Sequence, residues 1–159
     1  MSKNPSVFLE LSNELSKQGN WVDLTQFKSH EDFFAWLTDR VGEQSWWFSD
    51  NVGFPDAFFA ERGLDERLWE WLALSEQDKD IWRAALTAFG NEVSCRDAQE
   101  LFYGHYDSQA DFASQYAEEA GLEIPSWLVV EWQATWDCNL RHDFVSVYYN
   151  GAYYIFHNL

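Results

Sequence analysis

The chain has 159 residues, with 27 Asp and Glu against 10 Lys and Arg, a net charge of −17, and 10 Trp, 7 Tyr and 13 Phe. That aromatic content supplies apolar faces that disordered acidic chains lack, and the acidity disfavours any direct role on nucleic acid, so a folded, acidic protein of one domain or a few very small ones is expected. No apolar stretch approaches the ~20 residues needed to span a bilayer and no basic n-region precedes an apolar run, so a cytoplasmic chain without membrane partners is expected.

Ser6 to Leu11 and Trp21 to Leu24 alternate like short strands around a polar loop, Ser12 to Asn20, with a turn at Gly19-Asn20. Ser29-His30-Glu31-Asp32 is a capping signature that opens a helix through Phe33, Trp36 and Leu37, closed by Gly42. Ser45 to Ser49 is aromatic enough for a third strand, which completes a small N-terminal α/β unit over 1–50.

From Pro55 the pattern predicts short helices: Asp56 to Arg62 before Gly63, and Leu64 to Leu74 with Leu64, Leu68, Trp71 and Leu72 on one face. Further Ser-x-x-Asp signatures at Ser75, Ser94 and Ser108 open helices expected to end at Gly90, near Gly104 and at Gly121. Another helix is expected from Pro125 through Trp127, Val130, Ala134 and Cys138. Phe144 to Tyr149 and Ala152 to Phe156 flank Asn150-Gly151, a pair suited to the positive φ of a tight turn, so a two-stranded terminal hairpin is expected. The fold class is thus α+β, with parts at 1–50, 51–104 (a central short-helix bundle) and 105–159 (a helix plus hairpin).

The sequence carries little that resembles reaction chemistry. His30, His105, His142 and His157 have no second His or Cys at i+3 or i+4, so no metal or other cofactor is expected. His142, beside Asp143 and Cys138, reads as surface decoration. Cys95, near a predicted helix start, would favour a thiolate, although a lone cysteine there is more often inert. No Gly-x-Ser-x-Gly, phosphate-binding Gly loop or HExxH appears, and a non-enzyme is expected. The alternative is a small acidic enzyme or carbohydrate-binding protein using Trp69, Glu70 and Trp71, although the same residues fit an amphipathic helix with Trp71 inward and Trp69 at the edge.

The acids suggest a geometric role. Duplex DNA carries about one charge per ~1.7 Å of axis, so seventeen charges match roughly 29 Å of duplex. A compact chain of this length has a diameter of roughly 40 Å. The candidate polyanionic surface comprises Asp56, Glu61, Asp65, Glu66, Glu70, Glu76, Asp78, Asp80, Asp97, Glu100, Asp107, Asp111, Glu118 and Glu119. The alternative is an ordinary solvated face on every helix, since net charge also keeps proteins soluble.

Asn51-Val52-Gly53-Phe54-Pro55-Asp56-Ala57-Phe58-Phe59, then Leu64-Asp65-Glu66-Arg67-Leu68-Trp69-Glu70-Trp71-Leu72, resemble the ArdA antirestriction family. The resemblance continues through Tyr106 to Phe112, Glu118 to Leu122, Trp132 to Trp136 and the final hairpin, covering most of residues 5 to 157. It departs at Trp132 to Leu140, where many members carry a Tyr-x-Glu-Ala-Tyr-Ala-Arg-Asp-Leu type motif. The resemblance implies an elongated three-part DNA mimic, typically encoded on mobile elements, that binds type I restriction–modification enzymes in place of duplex and pairs two chains through its C-terminal part. Trp127, Trp132, Trp136 and Phe144, in an aromatic-dense C-terminal segment, are the expected homodimer interface.

Overall fold

The computed structural model describes residues 4–12 and 20–158. Residues 13–19 of the expected polar loop, including Gly19 of its turn, lie outside the described residues. The fold is α+β, with six α-helices and three small antiparallel sheets among the described residues. It divides into two compact units, Met1–Ser75 and Glu76–Leu159.

In the first unit, β1 (Ser6–Leu11) pairs with β2 (Trp21–Asp23) and β3 (Trp46–Val52) in the order β2-β1-β3. Alternation turns Val7, Leu9 and Leu11 inward, as a pleated strand requires. The helix α1 (His30–Val41) buries Phe33, Leu37 and Val41, spaced one turn apart, and the Phe33 ring packs on Phe48 of β3. Its start and stop follow the sequence signals: Ser29 Oγ accepts the Asp32 N–H, and Gly42 leaves the helix at φ 57°.

Asp56–Arg62 is not the helix expected. A 3-10 turn over Asp56–Phe58 leads into a short hairpin of β4 (Phe59–Ala60) and β5 (Gly63–Leu64). Ala57-Phe58-Phe59-Ala60 is a continuous apolar run without a helical stripe. The hairpin lets Phe58 and Leu64 both go inward while the Phe48 N–H donates to the Glu61 carbonyl at 2.7 Å. The following helix, α2 (Arg67–Leu72), is correspondingly shorter than the Leu64–Leu74 span expected, with Leu68 and Trp71 buried.

In the second unit, α3 (Glu76–Phe89) runs to Gly90 as expected, and α4 (Cys95–Leu101) is capped by Ser94. α4 stops before Gly104 because Phe102–Tyr106 forms β6, a strand that the helix reading missed. α5 (Gln109–Glu119) is capped by Ser108, and β7 (Phe144–Tyr149) and β8 (Ala152–His157) flank Asn150 and Gly151 at φ 51° and 85°. The sheet order is β6-β8-β7, so the terminal hairpin gains a third strand and β8 becomes central. The 104/105 position expected to separate two parts falls inside β6.

The helix expected from Pro125 begins only at Trp132, as α6 (Trp132–Cys138). Ile124 cannot cap a helix starting at Pro125, and Val129 and Val130 are β-branched. What forms instead is a turn, with the Leu128 N–H donating to the Pro125 carbonyl at 3.0 Å. Phe112, Trp136, Phe144 and Ile155 make the core cluster of this unit, with Tyr103, Tyr106, Tyr116, Leu140 and Tyr153 around it. Among the described residues no helix is long and apolar enough to cross a membrane.

Candidate acidic interaction surface

Of the fourteen candidate carboxylates, Asp65, Asp78 and Asp80 are partly buried and the other eleven are exposed. No charged residue among the described ones is buried. This is the pattern expected when the core is built from apolar side chains alone, because an unpaired charge taken out of water is costly.

Local structure sets where several of these acids stand. In α4 and α5 the capping serines accept the N–H groups of Asp97 and Asp111, at 3.0 Å each, which fixes both residues in the first turn where the helix dipole favours an anion. Glu118 and Glu119 close α5 at the opposite, negative end, where a cation would be favoured. Among the six described α-helices only α1 has a basic residue in its last turn, Arg40; the last turns of α2, α3, α4, α5 and α6 contain none.

Some acids are engaged. Asp65 accepts from the Arg67 backbone N–H at 2.9 Å and from Arg67 Nε and Nη2 at 3.1 and 3.0 Å. Partial burial works against its ionised form, but these Arg67 contacts outweigh it and hold the carboxyl below its ordinary range. Glu76 meets Lys79 at 3.4 Å, Glu100 meets Arg96 at 3.1 Å, and Asp56 accepts from Asn51 at 2.9 Å. Glu119 accepts from the Tyr103 hydroxyl at 2.6 Å, and that hydrogen bond, with burial, pushes the phenol up to about 12. Tyr106 and Tyr154 are raised by burial first, then by the charges of Glu119 and Asp80 respectively.

A feature of the surface escaped the sequence reading. From Asp97 to Leu140 the chain carries nine carboxylates and no Lys or Arg, a stretch that contributes α5, α6 and most of α4. The signal lay in the spacing of the cations rather than in the density of the acids.

The four residues expected at a dimer interface do not form one exposed patch. Trp136 and Phe144 lie inside the core cluster, and Trp132 is half-buried. Trp127 is 80% exposed, and around it in sequence Leu122, Leu128 and Val129 are exposed too. Leu128 and Val129 lie in the segment expected to be helical, and Leu122 lies just before it.

Trp71 is buried, and the Trp69 ring packs on His30 and Phe33 with its Nε1 enclosed and without a hydrogen-bond partner. The ring faces of this pair therefore serve packing, with Glu70 exposed between them. Cys95 is buried and Cys138 exposed, and neither is in a disulfide. Among the described residues no group of three or more His, Cys, Asp or Glu could hold a metal ion. Comparison with known proteins finds no matching family model, no similar curated protein and no similar solved structure.

Proposed function

We propose that this chain is a non-enzymatic antirestriction protein, a DNA mimic that inhibits type I restriction–modification enzymes by occupying their DNA-binding channel. The observation that carries the reading is the solvated, uncompensated anionic surface, most of all the cation-free run from Asp97 to Leu140. Helices that end in acids, as α5 does, work against their own dipole, and a surface selected only for stability would place cations there. The resemblance of the motifs around Asn51–Phe59 and Leu64–Leu72 to the ArdA family supplies the class of target. Inhibition by this route needs occupancy and no turnover, and both methylation and cleavage depend on DNA entering the same channel.

Affinity for a purified type I methyltransferase core, titrated from low to roughly physiological 0.15 M salt, tests the reading. Affinity should fall steeply, though less than DNA's would, because a protein lacks the full condensed counterion atmosphere of a duplex. Duplex carrying the recognition sequence should compete. A flat salt response would remove the electrostatic basis of the proposal.

The acting form is a homodimer paired through the exposed apolar residues Trp127, Leu128 and Val129, with Trp132 beside them in sequence. Two anionic chains repel, so added salt should strengthen the dimer while it weakens target binding. Sedimentation at low and moderate salt checks this, and a dimer that dissociates as salt rises would contradict it.

A further inference from the structure

Between α3 and α4 the second unit carries a groove of about 410 Å³ lined by Phe89, Glu92, Val93, Asp97, Glu100 and Leu101. Its shape follows from the linker. Gly90 turns the chain at φ 98°, the Trp82 indole N–H donates to the Val93 carbonyl at 3.0 Å, and Ser94 then opens α4. Val93 is thereby held near the buried Trp82, and the Phe89 ring is fixed edge-on against Phe156 at 5.7 Å. The result is an apolar floor of Phe89, Val93 and Leu101 under three exposed carboxylates, Glu92, Asp97 and Glu100. The last is paired with Arg96, at an exposed position where the pair is weak and exchangeable.

We propose that this groove seats an arginine side chain of the partner protein, its methylene stem on the apolar floor and its guanidinium against the carboxylate rim. Charge complementarity selects a cation. The floor selects one with an aliphatic stem, since long basic side chains cover apolar surface while their heads remain polar. Arginine is favoured over lysine because its guanidinium is weakly hydrated and meets carboxylates through a planar fork of donors. A row of phosphates offers no such floor, so the groove gives the chain a contact that DNA lacks. The inference deepens the reading of the acidic surface as a channel-occupying mimic and rests on it for the identity of the partner, but the groove's preference for arginine is testable without the enzyme.

The probes are two capped peptides of equal charge, one alternating Arg and Gly, the other with each Arg replaced by the short-stemmed 2-amino-3-guanidinopropionic acid, which keeps the guanidinium on a single methylene. Methyl NMR on the intact chain should show the Arg peptide moving the Val93 and Leu101 resonances saturably, with about tenfold tighter binding than the short-stemmed peptide. Leu101→Ala should weaken the Arg peptide severalfold and leave the other unchanged. Glu92→Gln, at an exposed position, should weaken both and guards against the case in which Leu101→Ala unfolds. Equal affinities for the two peptides, or unmoved groove methyls at saturation, overturn the proposal. If the Arg peptide seats as expected while a type I enzyme is uninhibited, the antirestriction reading fails and the groove stands. If wild type and folded Leu101→Ala inhibit the enzyme equally, the groove's role fails and the antirestriction reading stands.

Discussion

The two units use the same means to fold and differ in how they treat charge. Each has a three-stranded antiparallel sheet and a core rich in aromatic rings. The first, residues 1–75, has 13 carboxylates and 6 Lys or Arg; the second, residues 76–159, has 14 and 4. In the first unit three of the cations, Arg67, Arg62 and Arg40, are worked into the fold, as Arg83 is in the second, where it donates to the Tyr149 hydroxyl at 3.2 Å. Arg67 sits over the Phe58 ring as well as on Asp65, Arg62 lies over Trp46, and Arg40 is in the last turn of α1. In the second unit Lys79, Arg83 and Arg96 all belong to α3 and α4, and none follows until Arg141. Both units are therefore acidic, by 7 charges in the first and 10 in the second, and what sets the second apart is where its cations stand, all but Arg141 on α3 and α4, which leaves the run from Asp97 to Leu140 without one.

The largest effect should come from the shared part of the comparison. Phe112 contacts the rings of Tyr103, Tyr106, Tyr116, Trp136 and Phe144, all within about 6 Å between centroids. Phe112→Ala should cost about 3–5 kcal/mol, the usual range for removing a fully buried aromatic ring. Urea denaturation followed by near-UV circular dichroism measures it. A cost under about 1 kcal/mol would mean that the ring cluster does not hold the second unit together.

Next in size is the charge difference itself. Neutralising Asp97, Asp107, Asp111 and Glu118 together as amides should weaken binding to the methyltransferase core by roughly 2–4 kcal/mol, each alone contributing about 1 kcal/mol or less. The matched set Asp56, Glu61, Glu66 and Glu70 in the first unit should cost less, because cations already offset the field there. Thermal stability in the second-unit set should change little, because relief of self-repulsion is offset by the loss of the two anions, Asp97 and Asp111, that the helix dipole favours in the first turns of α4 and α5. Equal losses from the two sets would erase the distinction between the units, and a single substitution that abolished binding with the fold intact would replace distributed mimicry with one specific contact.

How much of this was legible in the sequence depended on which signals were local. The helix from Ser29 to Gly42, the serine caps of α4 and α5, and the Asn150-Gly151 turn were legible because one side chain or one backbone angle decides each of them. β6 was not. Gly104 looks like a helix stop, yet it sits in mid-strand beside a register shift, where an added Cβ would stand 3.1 Å from the Tyr106 hydroxyl oxygen. That requirement appears only once Tyr106 is in place. β4 and β5 are two-residue strands fixed by a hydrogen bond to Phe48, a partner that periodicity within the segment cannot reveal. Eleven of the fourteen candidate acids are exposed while Asp65, Asp78 and Asp80 are partly buried, and Trp136 and Phe144 were misplaced. Aromatic density shows that rings must be covered and does not show that Phe112, from α5, covers them.

The smallest expected effect isolates the field of the second unit, because all seven tyrosines belong to it and the first unit has none. Tyr103 donates to Glu119, so ionising the phenol would break a hydrogen bond and place two anions together; its folded value is pushed up to about 12 from the ordinary 10. The folded state therefore keeps a proton that the unfolded chain gives up. The stability this adds is fully present below pH 10 and is lost as pH rises through about 12. Tyr103→Phe keeps the ring and removes the donor, so it should cost below about 1 kcal/mol near neutrality and flatten this part of the alkaline stability loss. Glu119→Gln retains an acceptor without the charge, so it should bring the Tyr103 titration back toward 10 while preserving more of the stability. Tyrosinate absorbance against pH, read alongside urea midpoints at each pH, makes the measurement. If Tyr103 titrates at its ordinary value in the folded wild type, Glu119 is not held against it, and the acid closing α5 is then as free as any other on the surface.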